Sequence, residues 1–89
     1  MWKNKTPGTP DEQFERTEDV PITKEEIRAL QISKARLSSG QTVFDIGCGS
    51  GSISVESALQ IESKGHVYAI DFDQKAIELT KKNLEKKHY

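Results

Sequence analysis

Cysteine is almost absent from this sequence of 89 residues, in which Cys48 is the single example. One cysteine cannot form an internal disulfide bond, and it cannot build a cysteine metal cluster by itself. Chains that keep their thiols reduced are typical of the cytoplasm. We therefore predict a protein without disulfide bonds and without a metal centre, and we expect it in the cytoplasm.

Long apolar runs are also missing, and so is an excess of charge of one sign. No run approaches the roughly 18 to 20 apolar residues that a membrane-spanning helix needs, and the first residues do not resemble the start of a signal peptide. The 13 Lys and Arg residues balance 14 Asp and Glu residues, for a net charge of −1. Because nucleic-acid binding needs a positive surface, we expect neither a membrane nor a nucleic acid as a partner.

The first 22 residues have a different composition from the rest of the chain. They are polar and contain all three prolines, Pro7, Pro10 and Pro21. Their large apolar side chains are few: Trp2, Phe14, Val20 and Ile22. Such a composition predicts a disordered polar arm, in which Trp2 and Phe14 lie in a loosely packed tail. The arm (1–22) would precede a folded domain (23–89).

A helix start is predicted at Thr23. The Thr23 side chain can accept a hydrogen bond from the amide of Glu26, and the Glu26 carboxylate can reach back to the amide of Thr23, which is the pattern of a capping box. The helix is predicted to run to about Leu37. Gly40 would then end it, because glycine readily takes the left-handed conformation common just past a helix.

The rest of the chain alternates between strand and helix patterns. Residues 42–46 and 66–70 are short, β-branched and aromatic, which predicts two strands, and we expect the first to be buried on both faces. A helix is predicted at about 52–61. A last helix, capped by Asp73, would place one face on the core: Ala76, Ile77, Thr80 and Leu84. This order predicts an α/β protein with parallel strands, the opening unit of a doubly wound sheet.

Glycine recurs in the loop between the first strand and the helix after it, at Gly47, Gly49 and Gly51. Glycine allows tight backbone angles there, and it lets a ligand approach the main chain closely. A dinucleotide-binding loop would place its third glycine at position 52, where this chain has Ser52. The spacing therefore disfavours a nicotinamide enzyme.

Asp71 follows the second predicted strand, twenty residues after Gly51. A carboxylate at the carboxyl end of that strand is placed to accept hydrogen bonds from both hydroxyls of a ribose. The alternative is a helix cap, but Asp73 is available for that role. We therefore predict that Asp71 binds a ribose.

Residues 45–51, DIGCGSG, resemble the first motif of class I methyltransferases, an acidic residue followed by three alternating glycines. The resemblance implies a Rossmann-like fold and S-adenosylmethionine as cofactor. It implies that Asp45 lies near the amino group of the cofactor and that Asp71 binds its ribose. The loop beneath the methionine and ribose portions would be Gly47, Cys48, Gly49, Ser50 and Gly51.

Three segments narrow the resemblance further: 8–14 (GTPDEQF), 20–28 (VPITKEEIR) and 45–56 (DIGCGSGSISVE). They are similar to the decarboxylating precorrin methyltransferases of cobalamin biosynthesis, which methylate C(15) of a tetrapyrrole precursor. The resemblance implies a precorrin as substrate and Thr23 in the cofactor site, although Thr23 can equally be only a helix cap. The family more often has threonine where this chain has Ser50, a change that keeps the hydroxyl.

The resemblance also implies an assembly larger than this chain. Class I methyltransferases have a seven-stranded sheet, whereas two strands are predicted here, so we expect an amino-terminal fragment, inactive alone, of a homo-oligomer that is tetrameric when complete. No catalytic residue can be assigned. Two alternatives stay open: a class I methyltransferase for another acceptor, and a non-catalytic cofactor-binding fragment. Cys48 is interpreted as a small loop residue rather than a reactive thiol, and His66 and His88 as structural or surface residues.

Overall fold

The computed structural model describes residues 4–86 and has the predicted order of elements. A short 3₁₀ turn, Asp11–Gln13, precedes three helices and two strands. The helices are α1 (Glu25–Ala35), α2 (Ser52–Ile61) and α3 (Gln74–Lys86), and the strands are β1 (Thr42–Ile46) and β2 (His66–Ile70). The predicted bounds of both strands and of α2 are confirmed. His88 lies outside the described residues.

The two strands are parallel, and α2 connects them. Their register pairs Thr42 with His66 at one end and Ile46 with Ile70 at the other. Beyond β1 the amides of Gly47 and Cys48 donate to the Ile70 carbonyl at 2.6 and 3.0 Å. The α/β prediction with a parallel crossover is therefore confirmed, and the glycine loop leaves the sheet at the carboxyl ends of its strands.

Residues 4–86 cover only one face of the strands, so within them the prediction that β1 is buried on both faces is wrong. Exposed and half-buried residues alternate along both strands. Phe44 and Ile46 are 63% and 72% exposed, and the ring of Phe44 stacks on Tyr68 at 5.1 Å between centroids. Their apolar character is typical of parallel strands, which are usually covered on both faces. The described helices pack against the other face, where Asp45 contacts α2.

Helix α1 begins and ends at residues other than those predicted. Its N-cap is Lys24, without a side-chain hydrogen bond, so Thr23 does not form the predicted capping box. The Thr23 carbonyl instead accepts a hydrogen bond from the Arg28 guanidinium, which holds Thr23 one residue outside the helix. At the other end the C-cap is Arg36, in the left-handed conformation with φ 51°, so α1 ends before it reaches Gly40.

The predicted disordered arm is wrong for the part that the structure describes. Phe14 and Val20 are each only 4% exposed, and Val20 clusters with Ala76 and Leu79 of α3. The Arg28 guanidinium lies 4.9 Å from the centre of the Phe14 ring, a cation–π contact. The polar composition is misleading because these few apolar side chains pack on the helices. Trp2 lies outside the described residues.

The buried face of helix α3 differs from the predicted one. Ala76 and Thr80 are buried as predicted, but Leu79 and Asn83 are buried beside them, and Ile77 and Leu84 are only partly covered. The observed buried face of α3 includes Asn83, which forms hydrogen bonds with both the glycine loop and the segment before α1. No helix within residues 4–86 has the length and apolar character needed to span a membrane.

Candidate functional site

A cleft of about 400 Å³ opens beside the carboxyl end of β1, between α1 and α2. Its volume lies in the range of small-molecule sites, about 300 to 1,000 Å³. Four residues predicted to bind the cofactor line it: Thr23, Asp45, Gly47 and Cys48. Apolar side chains, among them Ile32 and Ile53, form other parts of its wall. The fold thus brings together these four predicted residues, of which Thr23 and Cys48 are 25 positions apart in the chain.

The orientation of the Asp45 carboxylate is fixed by α2. The Ser54 hydroxyl, which is fully buried, donates a hydrogen bond to Oδ2 of Asp45 at 2.7 Å. Ser54 lies nine residues after Asp45, in the first turn of α2. Ser54 was not predicted from the sequence, although a serine on the buried face of a helix is a signal that such a partner exists. The Asp45 carboxylate therefore has a fixed orientation at the cleft.

The three positions of the loop at Gly47, Gly49 and Gly51 favour glycine for different structural reasons. Gly47 has φ +74°, and a Cβ there would have no atom within 4 Å. At Gly49 a Cβ would lie 3.0 Å from the Pro21 carbonyl oxygen, and at Gly51 it would lie 2.8 Å from the Cα of Thr80. Gly49 and Gly51 therefore allow close packing within the protein, whereas Gly47 leaves open space in the cleft for a ligand.

The Asp71 carboxylate joins the glycine loop to the end of β2. Its Oδ1 accepts a hydrogen bond from the Asp73 amide at 2.9 Å, and its Oδ2 accepts one from the Gly49 amide at 3.1 Å. These amides, Asp73 first and Gly49 second, lower the pKa of Asp71 below its ordinary value. Asp73 has the predicted capping role, because its Oδ1 accepts a hydrogen bond from the Lys75 amide at 3.0 Å.

The lowered pKa of Asp71 predicts a contribution to acid sensitivity. A carboxyl group whose pKa is lower in the folded state stabilises that state above its unfolded pKa, near 3.8, and the stabilisation is lost as the pH falls through the folded pKa. We expect the free energy of unfolding to fall more steeply below about pH 4 in the unsubstituted chain than in Asp71→Asn. Urea unfolding from about pH 6 to about pH 3 measures both slopes; equal slopes would contradict the prediction.

Cys48 and Ser50 are both buried in the loop. Burial raises the pKa of the Cys48 thiol, which is the opposite of what a reactive thiolate needs. Ser50 is 1% exposed, its amide donates to the Pro21 carbonyl at 3.3 Å, and its own carbonyl accepts from Asn83 at 2.7 Å. Its hydroxyl has no hydrogen-bond partner within residues 4–86. Neither Ser50 nor Gly51 lines the cleft, and of the other predicted cofactor residues Gly49 and Asp71 do not line it either.

A buried ion pair fastens the segment before α1 beside the cleft. The Arg28 Nε donates to Glu56 Oε2 at 2.5 Å, and both side chains are almost fully buried. Glu56 also accepts hydrogen bonds from the amides of Gly8 and Thr9, at 2.8 and 3.2 Å. The guanidinium donates to the Thr23 carbonyl as well. Neither Arg28 nor Glu56 was predicted, because the pair joins residues 28 positions apart.

A glycine loop between a parallel strand and a helix, with a carboxylate at the end of the next strand, is the arrangement typical of a Rossmann-like unit. Residues 12–88 also match the sequence profile of the precorrin methyltransferase domain. The chain belongs to that family, as the sequence resemblance predicted.

Known proteins agree with this membership. The chain is 55% identical over 85 residues to a probable cobalt-precorrin-6B C(15)-methyltransferase (decarboxylating) of Saccharolobus solfataricus; the match covers 96% of this chain and 43% of the relative. The C-terminal domain of a precorrin-6Y C5,15-methyltransferase of Rhodobacter capsulatus superposes with a TM-score of 0.81 at 33% identity, covering 94% of this chain and 43% of the solved chain.

A further solved structure is a precorrin 8W decarboxylase of Methanobacterium thermoautotrophicum. It superposes with a TM-score of 0.80 at 33% identity, and the match covers 89% of this chain and 41% of that one. This chain thus spans less than half the length of the relatives it matches. What is shared with them includes β1, the glycine loop and β2.

Proposed function

We propose that this chain carries the S-adenosylmethionine site of a precorrin C-methyltransferase in cobalamin biosynthesis, of the decarboxylating type named among its relatives. The observation that carries the proposal is the cleft at the carboxyl end of β1, where Thr23, Asp45 and Gly47 meet. Residues 23–89 would form the cofactor-binding part of a domain, preceded by the segment 1–22. The precorrin substrate, a homo-oligomeric assembly and a cytoplasmic location rest on the family membership.

The residues present fit S-adenosylmethionine. The open space above Gly47 lets a ligand reach the main chain, and Asp45 offers a negative charge for an ammonium group. Each oxygen of Asp71 accepts one main-chain hydrogen bond, and a carboxylate has acceptor sites left for ribose hydroxyls. When bound, the cofactor supplies an electrophilic methyl group. The chain itself would hold and orient that group, which is the main contribution a protein makes to a displacement at carbon.

Calorimetric titration with S-adenosylhomocysteine, the demethylated cofactor, tests the proposal. We expect the unsubstituted chain to bind it and Asp71→Ala to bind it roughly 5- to 100-fold more weakly, because hydrogen bonds to a charged group are lost. The matched control is Asp73→Ala, which removes a carboxylate two residues away that caps α3. Asp73→Ala should bind with nearly unchanged affinity.

Two results would contradict the proposal. One is the absence of binding by the unsubstituted chain when circular dichroism shows it to be folded. The other is an equal loss of affinity in Asp71→Ala and Asp73→Ala, because a general loosening of the fold would then explain both. An unchanged affinity in Asp71→Ala alone would remove the ribose role from Asp71 and leave the cleft in place.

A further inference from the structure

Helix α3 contacts the glycine loop through two buried polar side chains, Thr80 and Asn83, neither of which lines the cleft. Such side chains on the buried face of a helix need hydrogen-bond partners. Both find them in carbonyl groups of the loop. The Thr80 Oγ1 donates to the Gly49 carbonyl at 3.0 Å, its shorter contact, and also lies 3.3 Å from Cys48 Sγ. The Asn83 Nδ2 donates to the Ser50 carbonyl at 2.7 Å.

Gly49 is held on both sides by these contacts. Its carbonyl accepts the hydrogen bond from Thr80, and its amide donates to Oδ2 of Asp71 at 3.1 Å. A chain of hydrogen bonds thus runs from α3 through the main chain of Gly49 to the carboxylate at the end of β2. Thr80 is the first member of that chain, and Asp71, the predicted ribose-binding residue, is the last.

Gly49 needs such a restraint more than other residues would. It has φ +55°, and glycine has the largest conformational freedom of any residue. A loop that is free before binding must be ordered when the ligand arrives, which lowers the affinity. A loop already held in its bound shape avoids that loss.

We propose that Thr80 is a positioning residue of the cofactor site, which acts through Gly49 to hold the Asp71 carboxylate in the orientation that binds a ribose. The inference rests on the proposed function. Asn83 supports the same loop by a second route: its Oδ1 accepts from the Glu15 amide at 2.6 Å, and its Nδ2 donates to the Glu15 carbonyl at 3.1 Å. The segment before α1, the loop and α3 are thereby joined.

The test compares Thr80→Val with Thr80→Ser in calorimetric titrations with S-adenosylhomocysteine. Valine keeps the shape of threonine but removes the hydroxyl, whereas serine keeps the hydroxyl and removes a methyl group. Both variants should unfold more readily than the unsubstituted chain, because valine leaves the Gly49 carbonyl unpaired and serine leaves a small void. Only Thr80→Val should bind the ligand more weakly, by roughly 3- to 10-fold.

A second measurement tests the route through Asp71. When Thr80→Val is added to Asp71→Ala, the affinity should change by less than about twofold, because the group that Thr80 positions is already missing. If the two losses multiply instead, Thr80 acts independently of Asp71 and the inference is wrong. If Thr80→Val does not fold, Thr80→Ala replaces it, because alanine and serine differ only in the hydroxyl.

The outcomes separate this inference from the function on which it rests. Absence of binding by the folded, unsubstituted chain would overturn the proposed function and this inference with it. Binding by that chain together with equal affinities of Thr80→Val and Thr80→Ser would overturn the inference alone. A tighter affinity in Thr80→Ser than in Thr80→Val, with no further effect in the Asp71→Ala background, is the expected result.

Discussion

Glu56→Gln is expected to lower the free energy of unfolding by about 2 to 4 kcal/mol. A fully unpaired buried ion costs about 3 to 5 kcal/mol, and the loss is smaller here because Asp11 stays beside Arg28 at 3.0 Å. Glutamine has nearly the volume of glutamate, so the loss does not come from a cavity. It comes from the Arg28 guanidinium, which is fully buried and would keep its charge with only the partly exposed Asp11 carboxylate as counter-charge. Urea unfolding followed by circular dichroism measures the change.

The control for Glu56→Gln is Asp19→Asn, which removes one partner of the ion pair between Lys75 and Asp19. That pair has a similar separation of 2.8 Å, but its side chains are 70% and 57% exposed. Water and salt screen such a pair, so Asp19→Asn should unfold like the unsubstituted chain. If the two substitutions had equally small effects, the buried pair would not be what fastens the segment 8–23 to the helices.

Gly51→Ala is expected to lower the free energy of unfolding by about 2 to 5 kcal/mol, from two causes. A non-glycine residue in the left-handed conformation costs roughly 1 to 2 kcal/mol, and Gly51 has φ +89°. The new Cβ would also lie 2.8 Å from the Cα of Thr80. Because that atom belongs to the main chain, α3 must move, and overpacking of this kind costs about 1 to 3 kcal/mol.

Gly40→Ala separates the two causes. Gly40 has φ +86°, but no atom lies within 4 Å of the position of its Cβ. This substitution should therefore show only the conformational cost, about 1 to 2 kcal/mol. Thermal unfolding of the two variants gives the comparison. Equal losses in Gly51→Ala and Gly40→Ala would mean that α3 does not pack closely against the loop.

The strands and the loop could be predicted because their signals are local. β-branched and aromatic residues mark both strands, and the bounds 42–46 and 66–70 agree with the structure. The family could be predicted for a related reason, since its motifs are short and continuous. Asp73 was predicted as a cap from its position alone, and it has that role.

The wrong predictions concern side-chain contacts that the pattern of residue types does not show. The segment before α1 has a polar composition, yet Phe14 and Val20 are buried because Arg28 and α3 provide surfaces for them. Thr23 has the residue type and spacing of a cap, but Arg28 binds its carbonyl and the helix starts later. The buried face of α3 differs from the predicted one because it includes Asn83, whose hydrogen-bond partners lie 33 and 68 positions away. No local pattern contains such partners.

Side chains of the three helices also orient the residues of the cleft and of the glycine loop. Asp45 is oriented by Ser54 from α2, Gly49 by Thr80 from α3, and Thr23 by Arg28 from α1. Motifs in the sequence suggest the candidate cofactor residues, whereas no motif indicates the residues that support them. Whether Thr23, Asp45 and Asp71 bind a cofactor stays a prediction that ligand titration decides.

We propose that the cofactor binds in the open space above Gly47. Calorimetric titration of Gly47→Ala and Gly40→Ala with S-adenosylhomocysteine tests it most directly, because both glycines have positive φ and open space at the Cβ position, and only Gly47 lines the cleft. We predict that Gly40→Ala binds like the unsubstituted chain and that Gly47→Ala binds about tenfold more weakly or worse, a loss of about 1.4 kcal/mol or more. Equal affinities of the two variants would mean that the cofactor does not bind above Gly47.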